Sequence, residues 1–157
     1  MNIIIREFEK KDIEHVIPLL QSMYLEHDQA EPGFFTPNSY SKEQIERYLK
    51  EALESNTCKV FVATKEEEIV GTIRATIKEA PSFYKDKGIG FTDDLVVKEE
   101  YRRNGIGEQL INKTIEYYKS KGISLVESKI YEFNKPSQAL SEKLGFKKTF
   151  SYFYKRI

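Results

Sequence analysis

The stretch FTDDLVVKEEYRRNGIGEQLINKTI, residues 91–115, decides the fold. Near its start, residues 95–97 form an apolar, mostly β-branched run, which predicts a buried strand. In its second half, apolar residues recur at three- and four-residue spacing from Ile106 to Ile115, which predicts an amphipathic helix. A basic segment with two glycines, residues 102–107, connects them. The stretch therefore predicts a strand, a turn and a helix at the centre of the chain.

The turn has the properties of an anion site. Gly105 and Gly107 have no Cβ, so their backbone can adopt unusual dihedral angles and let a ligand approach the amides. The first amides of a helix lack intrahelical partners, and the helix dipole is positive at that end. Arg102 and Arg103 add two positive charges. We therefore expect a phosphate or diphosphate at the start of this helix.

Two other phosphate-binding motifs fit this segment poorly. A Walker loop has Lys and then Ser or Thr after its second glycine, whereas Gly107 is followed by Glu108 and Gln109. A dinucleotide fingerprint has a third small residue where Leu110 stands, and it belongs to an early βαβ unit. An enzyme that acts on ATP or GTP phosphates is therefore disfavoured.

Length and composition describe one domain with balanced charge. The 157 residues fit a single domain, residues 1–157, that buries roughly two-thirds of the surface of the unfolded chain. The 25 basic side chains equal the 25 acidic ones, so no global basic field indicates a nucleic-acid partner. The single cysteine, Cys58, excludes an internal disulfide and offers no Cys/His metal set. Residues 1–8 resemble neither a signal peptide nor a membrane span, so the default expectation is a cytoplasmic protein without a membrane partner.

The N-terminal half predicts one strand, two helices and a two-stranded hairpin. Residues 2–8 predict a first strand, and residues 59–64 and 69–77 predict an antiparallel hairpin around a charged turn. Two amphipathic helices lie between the first strand and this hairpin. Ser41 and Gln44 match a capping box at the start of the second helix.

The C-terminal part completes the predicted order. A strand is expected at residues 125–130, a short helix up to Lys143, and one or two aromatic strands at residues 146–155. The order β-α-α-β-β-β-α-β-α-β predicts an α/β fold, a mixed sheet with helices on both faces. The aromatic tail is interpreted as either core packing or a contact in a homodimer.

Two motifs in this order resemble one family. The pattern Arg102-x-x-Gly105-x-Gly107 after an apolar strand resembles the acetyl-CoA loop of the GCN5-related N-acetyltransferase (GNAT) family, Gln/Arg-x-x-Gly-x-Gly/Ala. Residues 134–146, NKPSQALSEKLGF, resemble the family segment Asn-x-x-Ala-x-x-Leu-Tyr-Glu-Lys-x-Gly-Phe. Since the element order is also that of the family, the resemblance extends over nearly the whole chain. It implies a GNAT-like fold and direct transfer of an acetyl group from acetyl-CoA to an amine of a small molecule or peptide.

The resemblance also implies where the co-substrate binds. The pantetheine arm and the thioester are expected along the backbone of Leu95, Val96 and Val97, where the strand separates from its neighbour. The amide of Asn134 is expected to hydrogen-bond pantetheine, to cap the following helix, or both. The residues expected around the diphosphate are Arg102, Arg103, Asn104, Gly105, Ile106 and Gly107.

Two adjacent carboxylates are candidates for the base. In the family, a carboxylate on this strand often relays the proton of the acceptor through water, and an acidic pair resembles the glucosamine-phosphate acetyltransferase branch. Because strand side chains alternate, we expect Asp93 on the face of Leu95 and Val97 and Asp94 on the opposite face. We favour Asp93 as the base, and a solvated strand end is the alternative interpretation of both residues.

The acid differs from the family pattern. Ser141 stands where the family has a tyrosine, and a serine hydroxyl is shorter and far less acidic than a phenol. Tyr131 or Tyr152 could replace it, or the thiolate could leave without full protonation. The serine also motivates a second hypothesis, a non-catalytic acyl-CoA-binding sensor or partner module of the same fold.

The acceptor is left open by the sequence. Carboxylates near the expected site suggest a cationic or polyhydroxylated amine, although charged loops are usually solvated. Phe34 and Phe35, in a loop with two prolines, either line a pocket or simply pack. His27 with Asp28 is expected at the surface, with the border of the acceptor pocket as the alternative.

Overall fold

In the part of the chain that the structure describes, the sheet has five strands in the order β1-β2-β3-β4-β5. The computed structural model describes residues 2–33, 35–36, 39–155 and 157. Neighbouring strands from β1 to β4 are antiparallel, and β5 is parallel to β4, so the sheet is mixed as predicted. The strands are β1 (Ile3–Glu7), β2 (Cys58–Lys65), β3 (Glu68–Glu79), β4 (Gly88–Val97) and β5 (Leu125–Ser128).

Helices cover both faces of the sheet. The side chains of α1 and α2 form one buried cluster with β2 and with Val96 near the C-terminal end of β4. Residues of α3 and α4 pack on the other face, against β2 and β3. No helix in the described part of the chain is both long and apolar enough to cross a membrane. The helices are α1 (Ile13–Ala30), α2 (Lys42–Glu54), α3 (Ile106–Ser120) and α4 (Lys135–Lys143).

Side-chain caps fix the starts of two helices. The Ser41 hydroxyl accepts a hydrogen bond from the amide of Gln44 at 3.3 Å and begins α2, as the sequence predicts. The Asn134 side chain accepts one from the amide of Ser137 at 3.2 Å and begins α4. Pro136 stands in the first turn of α4, where its missing N–H costs nothing.

A β-bulge interrupts β4 at its acidic pair. Thr72 of β3 pairs with Val96, but Arg74 pairs with Asp93, so β4 has one residue more than β3 between these two pairs. Asp94 adopts the left-handed conformation, with φ of 51°. Aspartate tolerates this conformation better than most residues, which is why a bulge can form here without glycine.

The bulge brings both carboxylates to the same face of the sheet. Asp94 hydrogen-bonds to α1 and α2, and Asp93 follows Thr92, whose side chain contacts α3 on the opposite face. Leu95 and Val97 pack toward α3. The prediction that Asp93 shares a face with Leu95 and Val97 is therefore wrong, because it assumed a strand without a bulge.

The strands β4 and β5 separate part-way along β4. Their parallel pairing begins at Ile89 and Leu125 and ends at Thr92 and Ser128. β4 continues to Val97, and beyond Thr92 no strand among the described residues pairs with its β5-facing edge. The sheet is therefore open at this point.

The predicted order agrees with the structure up to α4, but the C-terminal strands are absent from the described residues. Residues 146–155 form no strand, although their composition favours one. A strand exists only when a neighbouring backbone satisfies its N–H and C=O groups, and composition cannot supply that neighbour. Phe146, at the start of the tail, is half-buried against the cluster beneath α3, and the large side chains further along are exposed: Phe150, Tyr152, Phe153 and Tyr154.

Candidate active site

A cleft of about 240 Å³ lies where β4 and β5 separate. Its walls come from α1, β4, the end of β5 with residues 129–131 that follow it, α3 and α4, and Phe35 also lines it. The carboxylates lie on the α1 side, and small polar side chains lie on the α4 side. The cleft brings together six of the residues predicted for the site: Asp93, Asp94, Leu95, Tyr131, Asn134 and Ser141.

The turn before α3 is held open by backbone conformation. Arg103 and Gly105 both have positive φ angles, 62° and 74°. The side-chain amide of Asn104 donates to the carbonyls of Tyr101 and Arg102 at 3.2 and 3.0 Å, which fixes the shape of the turn. No side chain caps α3. Among the described residues, the first amides of α3 therefore have no side-chain partner, and the binding of an anion there stays a prediction.

Gly107 connects this turn to the cleft. A Cβ at this position would lie 3.2 Å from Cδ2 of Leu140 and 3.8 Å from Cδ2 of Leu95, which itself lines the cleft. Any larger residue must therefore push against α4 or project toward the cleft. The side chain of Ile106 is buried, so this residue offers only its backbone to a ligand.

The two arginines of the turn differ in their contacts. Arg102 donates to the carbonyl of Val97 at 3.0 Å and to Glu26 of α1 at 3.1 Å. The ion pair with Glu26 is solvent-exposed, so it is weak and an anion can replace it. Arg103 makes no hydrogen bond or ion pair with other residues that the structure describes. Its guanidinium group is free to meet a phosphate.

The α1 side of the cleft contains a network of charged and phenolic groups. Tyr24 donates to Oδ1 of Asp94 at 3.2 Å, and Tyr48 of α2 donates to Oδ2. Arg74 of β3 donates to the Tyr48 hydroxyl and lies 3.9 Å from Oδ2 of Asp93. The other oxygen of Asp93 is buried and has no hydrogen-bond partner among the described residues.

This environment favours the protonated form of Asp93. Burial, followed by the charge of Asp94, raises the pKa of Asp93 to about 7, against the opposing effects of Arg74 and Lys78. Burial and then the same charge of Asp94 raise the pKa values of Tyr24 and Tyr48, so both phenols stay neutral and donate their protons. Asp93 can therefore exchange a proton near neutral pH, which suits a general base.

The candidates for the acid occupy different places. Tyr131 lines the cleft, and its ring meets that of His27 edge-on at 4.8 Å. Burial raises the pKa of Tyr131, so its hydroxyl keeps a proton at neutral pH. Ser141 is buried and lines the cleft from α4. Tyr152 lies outside it, exposed beneath the amine of Lys129.

Sequence reasoning missed the partners of the carboxylates. Tyr24 and Tyr48 were recognisable as members of apolar helix faces, but their hydroxyl partners were not. The available signal was general: a tyrosine on a buried face needs a hydrogen-bond partner. Arg74 within a strand of the hairpin gave the same kind of signal, since a half-buried arginine needs an anion.

The loop between α1 and α2 also reaches the cleft. Phe35 of this loop lines the cleft, and so does His27 of α1, so His27 borders the site rather than lying free on the surface. Phe34 lies outside the described residues. Across the ranges that the structure describes, no group of His, Cys, Asp or Glu side chains could hold a metal ion. Cys58 is buried, and its sulfur accepts a hydrogen bond from Arg74 at 3.2 Å.

Comparison with known proteins agrees with this architecture. Residues 20–146 match the sequence model described as the acetyltransferase (GNAT) family. A search of curated protein sequences gave no significant match. Among solved structures, a predicted acetyltransferase from Clostridium acetobutylicum with acetyl-CoA aligns with a TM-score of 0.78 and 18% identity, covering 99% of this chain and 96% of that one.

Two further solved structures have the same fold. An aminoglycoside N-acetyltransferase in complex with CoA aligns with a TM-score of 0.79 and 22% identity, covering 99% of this chain and 95% of that one. Glucosamine-6-phosphate N-acetyltransferase from Arabidopsis thaliana aligns with a TM-score of 0.74 and 20% identity, covering 99% of each chain. At these identities the similarity establishes a common fold.

Proposed function

We propose that this chain, which belongs to the GNAT family of acetyltransferases, transfers an acetyl group from acetyl-CoA to the nitrogen of an amine acceptor. The observation that carries the proposal is a cleft that contains Asp93 and is also lined by Leu95, whose side chain lies 3.8 Å from the position of a Cβ at Gly107 in the predicted anion-binding turn. A thioester bound there would have its reactive carbon beside a carboxyl group that titrates near neutral pH.

The residues fit acetyl-CoA in two parts. The uncapped start of α3, with the free guanidinium of Arg103, suits a diphosphate. Pockets for drug-sized ligands usually span ~300–1,000 Å³, so a cleft of about 240 Å³ suits a slender arm better than a whole nucleotide. The pantetheine arm would lie between Leu95 and Asn134, and the nucleotide would remain at the surface. Acetyl-CoA supplies the acetyl group in activated form, as a thioester.

The residues of the cleft divide the proton transfers between them. Beyond Thr92, the β5-facing amides of β4 have no strand partner among the described residues and can polarise the carbonyl oxygen of the thioester. In other enzymes, removal of one such donor lowers the rate by ~10²–10³. Asp93 takes a proton from the acceptor ammonium and frees the lone pair of its nitrogen. The reaction forms one N–C bond and breaks one C–S bond. The hydroxyl of Tyr131 donates a proton to the leaving thiolate, and the second proton of the nitrogen replaces it on Tyr131. The proton taken by Asp93 passes to solvent, so one proton is released overall.

The choice of Tyr131 over Ser141 rests on chemistry. Both side chains line the cleft, but a phenol is far more acidic than an aliphatic hydroxyl. The serine nevertheless favours a second candidate function, an acyl-CoA sensor that binds without turnover, because the usual tyrosine of the family is absent at this position.

Thiol release in the presence of acetyl-CoA tests the proposal. Four amines would each be assayed with the wild type and with Asp93→Asn: an aminoglycoside, glucosamine 6-phosphate, a polyamine and a lysine-containing peptide. We expect release with at least one amine, lost in the variant, while both proteins bind CoA in calorimetry. CoA binding without release on any amine would refute the enzyme and support the sensor. If CoA does not bind, both functions are excluded.

A further inference from the structure

The two carboxylates of the bulge have unequal surroundings. Both oxygens of Asp94 accept a hydrogen bond from a tyrosine, one from α1 and one from α2. Among the described residues Asp93 has no such donor: Oδ1 is buried without a hydrogen-bond partner, and Oδ2 lies 3.9 Å from the guanidinium of Arg74. Hydrogen bonds to a carboxylate favour its charged form, whereas burial disfavours it. The geometry therefore assigns the charge to Asp94 and the proton to Asp93.

The network continues behind the tyrosines and strengthens this assignment. The guanidinium of Arg74 donates to the hydroxyl of Tyr48, whose own proton points to Asp94. A cation that donates to a hydroxyl makes that hydroxyl a better donor, because hydrogen bonds in a chain polarise one another. Tyr48 thus transmits part of the positive charge of Arg74 to Asp94.

The bulge fixes the position of this charge. The left-handed conformation of Asp94 turns its side chain toward α1 and α2, on the same face as Asp93. Without the bulge the two carboxylates would lie on opposite faces of the sheet. Neighbouring like charges that share a site cannot both form without a large cost, so one carboxyl keeps its proton to higher pH. The other groups that face the pair are Tyr24, His27, Tyr48, Arg74, Lys78 and Tyr131.

We propose that Asp94 is a positioning residue for acetyl transfer: held by Tyr24 and Tyr48, it stays ionised beside Asp93 and makes Asp93 the carboxyl group that exchanges the proton of the acceptor. The inference rests on the proposed function for its consequence in catalysis. The helices α1 and α2 then have a role beyond enclosing the acceptor, since each contributes a hydroxyl that keeps the negative charge in place.

The test is the pH profile of kcat/KM in Asp94→Asn. Asparagine tolerates the left-handed conformation and keeps one carbonyl acceptor for the tyrosines, so the variant should fold. Removing the neighbouring charge should move the acidic limb of the profile by about one to two pH units to lower pH. The exposed Glu51→Gln of α2, which removes the same charge away from the cleft, should leave the limb unchanged. CoA affinity should be unaffected in both variants.

Two outcomes would overturn the proposal. An acidic limb at the wild-type position in folded Asp94→Asn means that the neighbouring charge does not act on Asp93. Loss of activity at every pH, with CoA binding intact, means that Asp94 is itself the base.

Carboxyl-carbon NMR titration of the wild type gives a second test that needs no turnover. We expect one aspartate signal to titrate near neutral pH and to disappear in Asp93→Asn. If the near-neutral signal belongs to Asp94, the assignment is reversed and the proposal fails. The titration remains decisive even if no amine is acetylated, so failure of the proposed function is distinguishable from failure of this inference.

Discussion

Replacing Gly107 with glutamate should abolish most of the affinity for CoA while the domain remains folded. The position is the second residue of α3, where a negative side chain interacts favourably with the helix dipole. The added Cβ lies 3.2 Å from the half-buried Leu140, which must move by a few tenths of an ångström. Helix propensity partly offsets this cost, since glycine is about 0.5–1 kcal/mol less favourable than alanine within a helix.

The loss of affinity follows from charge repulsion in the turn. A carboxylate roughly 6 Å from a diphosphate of two charges is disfavoured by about 2–3 kcal/mol at an intermediate effective dielectric, which corresponds to ~30- to 150-fold in Kd. The matched control is Gly107→Gln, which has the same shape without the charge and should lose much less. Calorimetry with CoA measures both, and raising the salt concentration should narrow the gap between them. Wild-type affinity in Gly107→Glu would refute the location of the diphosphate.

Three further predictions concern the turn, the base and the acid. Gly105→Ala, at φ of 74°, should lower Tm by about 2–4 °C, because a left-handed alanine costs ~1 kcal/mol, and it should also weaken CoA binding. The matched control is Gly122→Ala, at φ of 72° beyond the far end of α3, which should lower Tm equally and leave CoA binding intact. Equal CoA affinity in the two variants would show that the shape of the turn does not matter. For wild type, kcat/KM should rise with pH through about 7, because the base acts in its deprotonated form, and Asp93→Asn should lose ~10²–10⁴ in kcat. The native protein holds a proton on Asp93 that the unfolded chain has already lost above pH ~4, so the free energy of unfolding falls as pH rises from about 4 to 7. In urea unfolding at pH 8, Asp93→Asn should therefore be more stable than wild type by up to about 4 kcal/mol. Near pH 4 the variant should show no such gain. Tyr131→Phe should lower kcat by ~10-fold or more and Ser141→Ala should change it little, in assays that compare thiol release at saturating acetyl-CoA; the reverse order would make the serine the acid.

The elements were predictable from local pattern because their causes are local. The cap at Ser41, the apolar period of α3 and the left-handed glycine after its end depend on residues within one or two turns. The anion site was predictable for the same reason, since the turn, both arginines and the helix start are contiguous in the chain. The cap, the helix and the glycine agree with the structure, and the anion site stays a prediction.

The carboxylate network was not predictable because its causes are distant in sequence. Tyr48 lies 46 residues from Asp94 in the chain, and only the packing of α2 on the sheet joins them. The bulge depends on the register between β3 and β4, which alternation within one strand cannot reveal. The aromatic tail failed as a strand for a related reason: strand formation depends on a neighbour, and the end of the sheet offers only the short β5.

The short junction between β4 and β5 also predicts which part of the domain detaches most easily. Only four residue pairs join β5 to the sheet, from Ile89 and Leu125 to Thr92 and Ser128, whereas β3 and β4 pair along most of their length. In native-state hydrogen exchange, amides of β5 and α4 should open as one low-energy unit while β2 and β3 remain protected up to global unfolding. A ligand in the cleft would contact both units at once. Slower exchange in β5 after addition of CoA would therefore report occupancy from the protein backbone, without any acceptor.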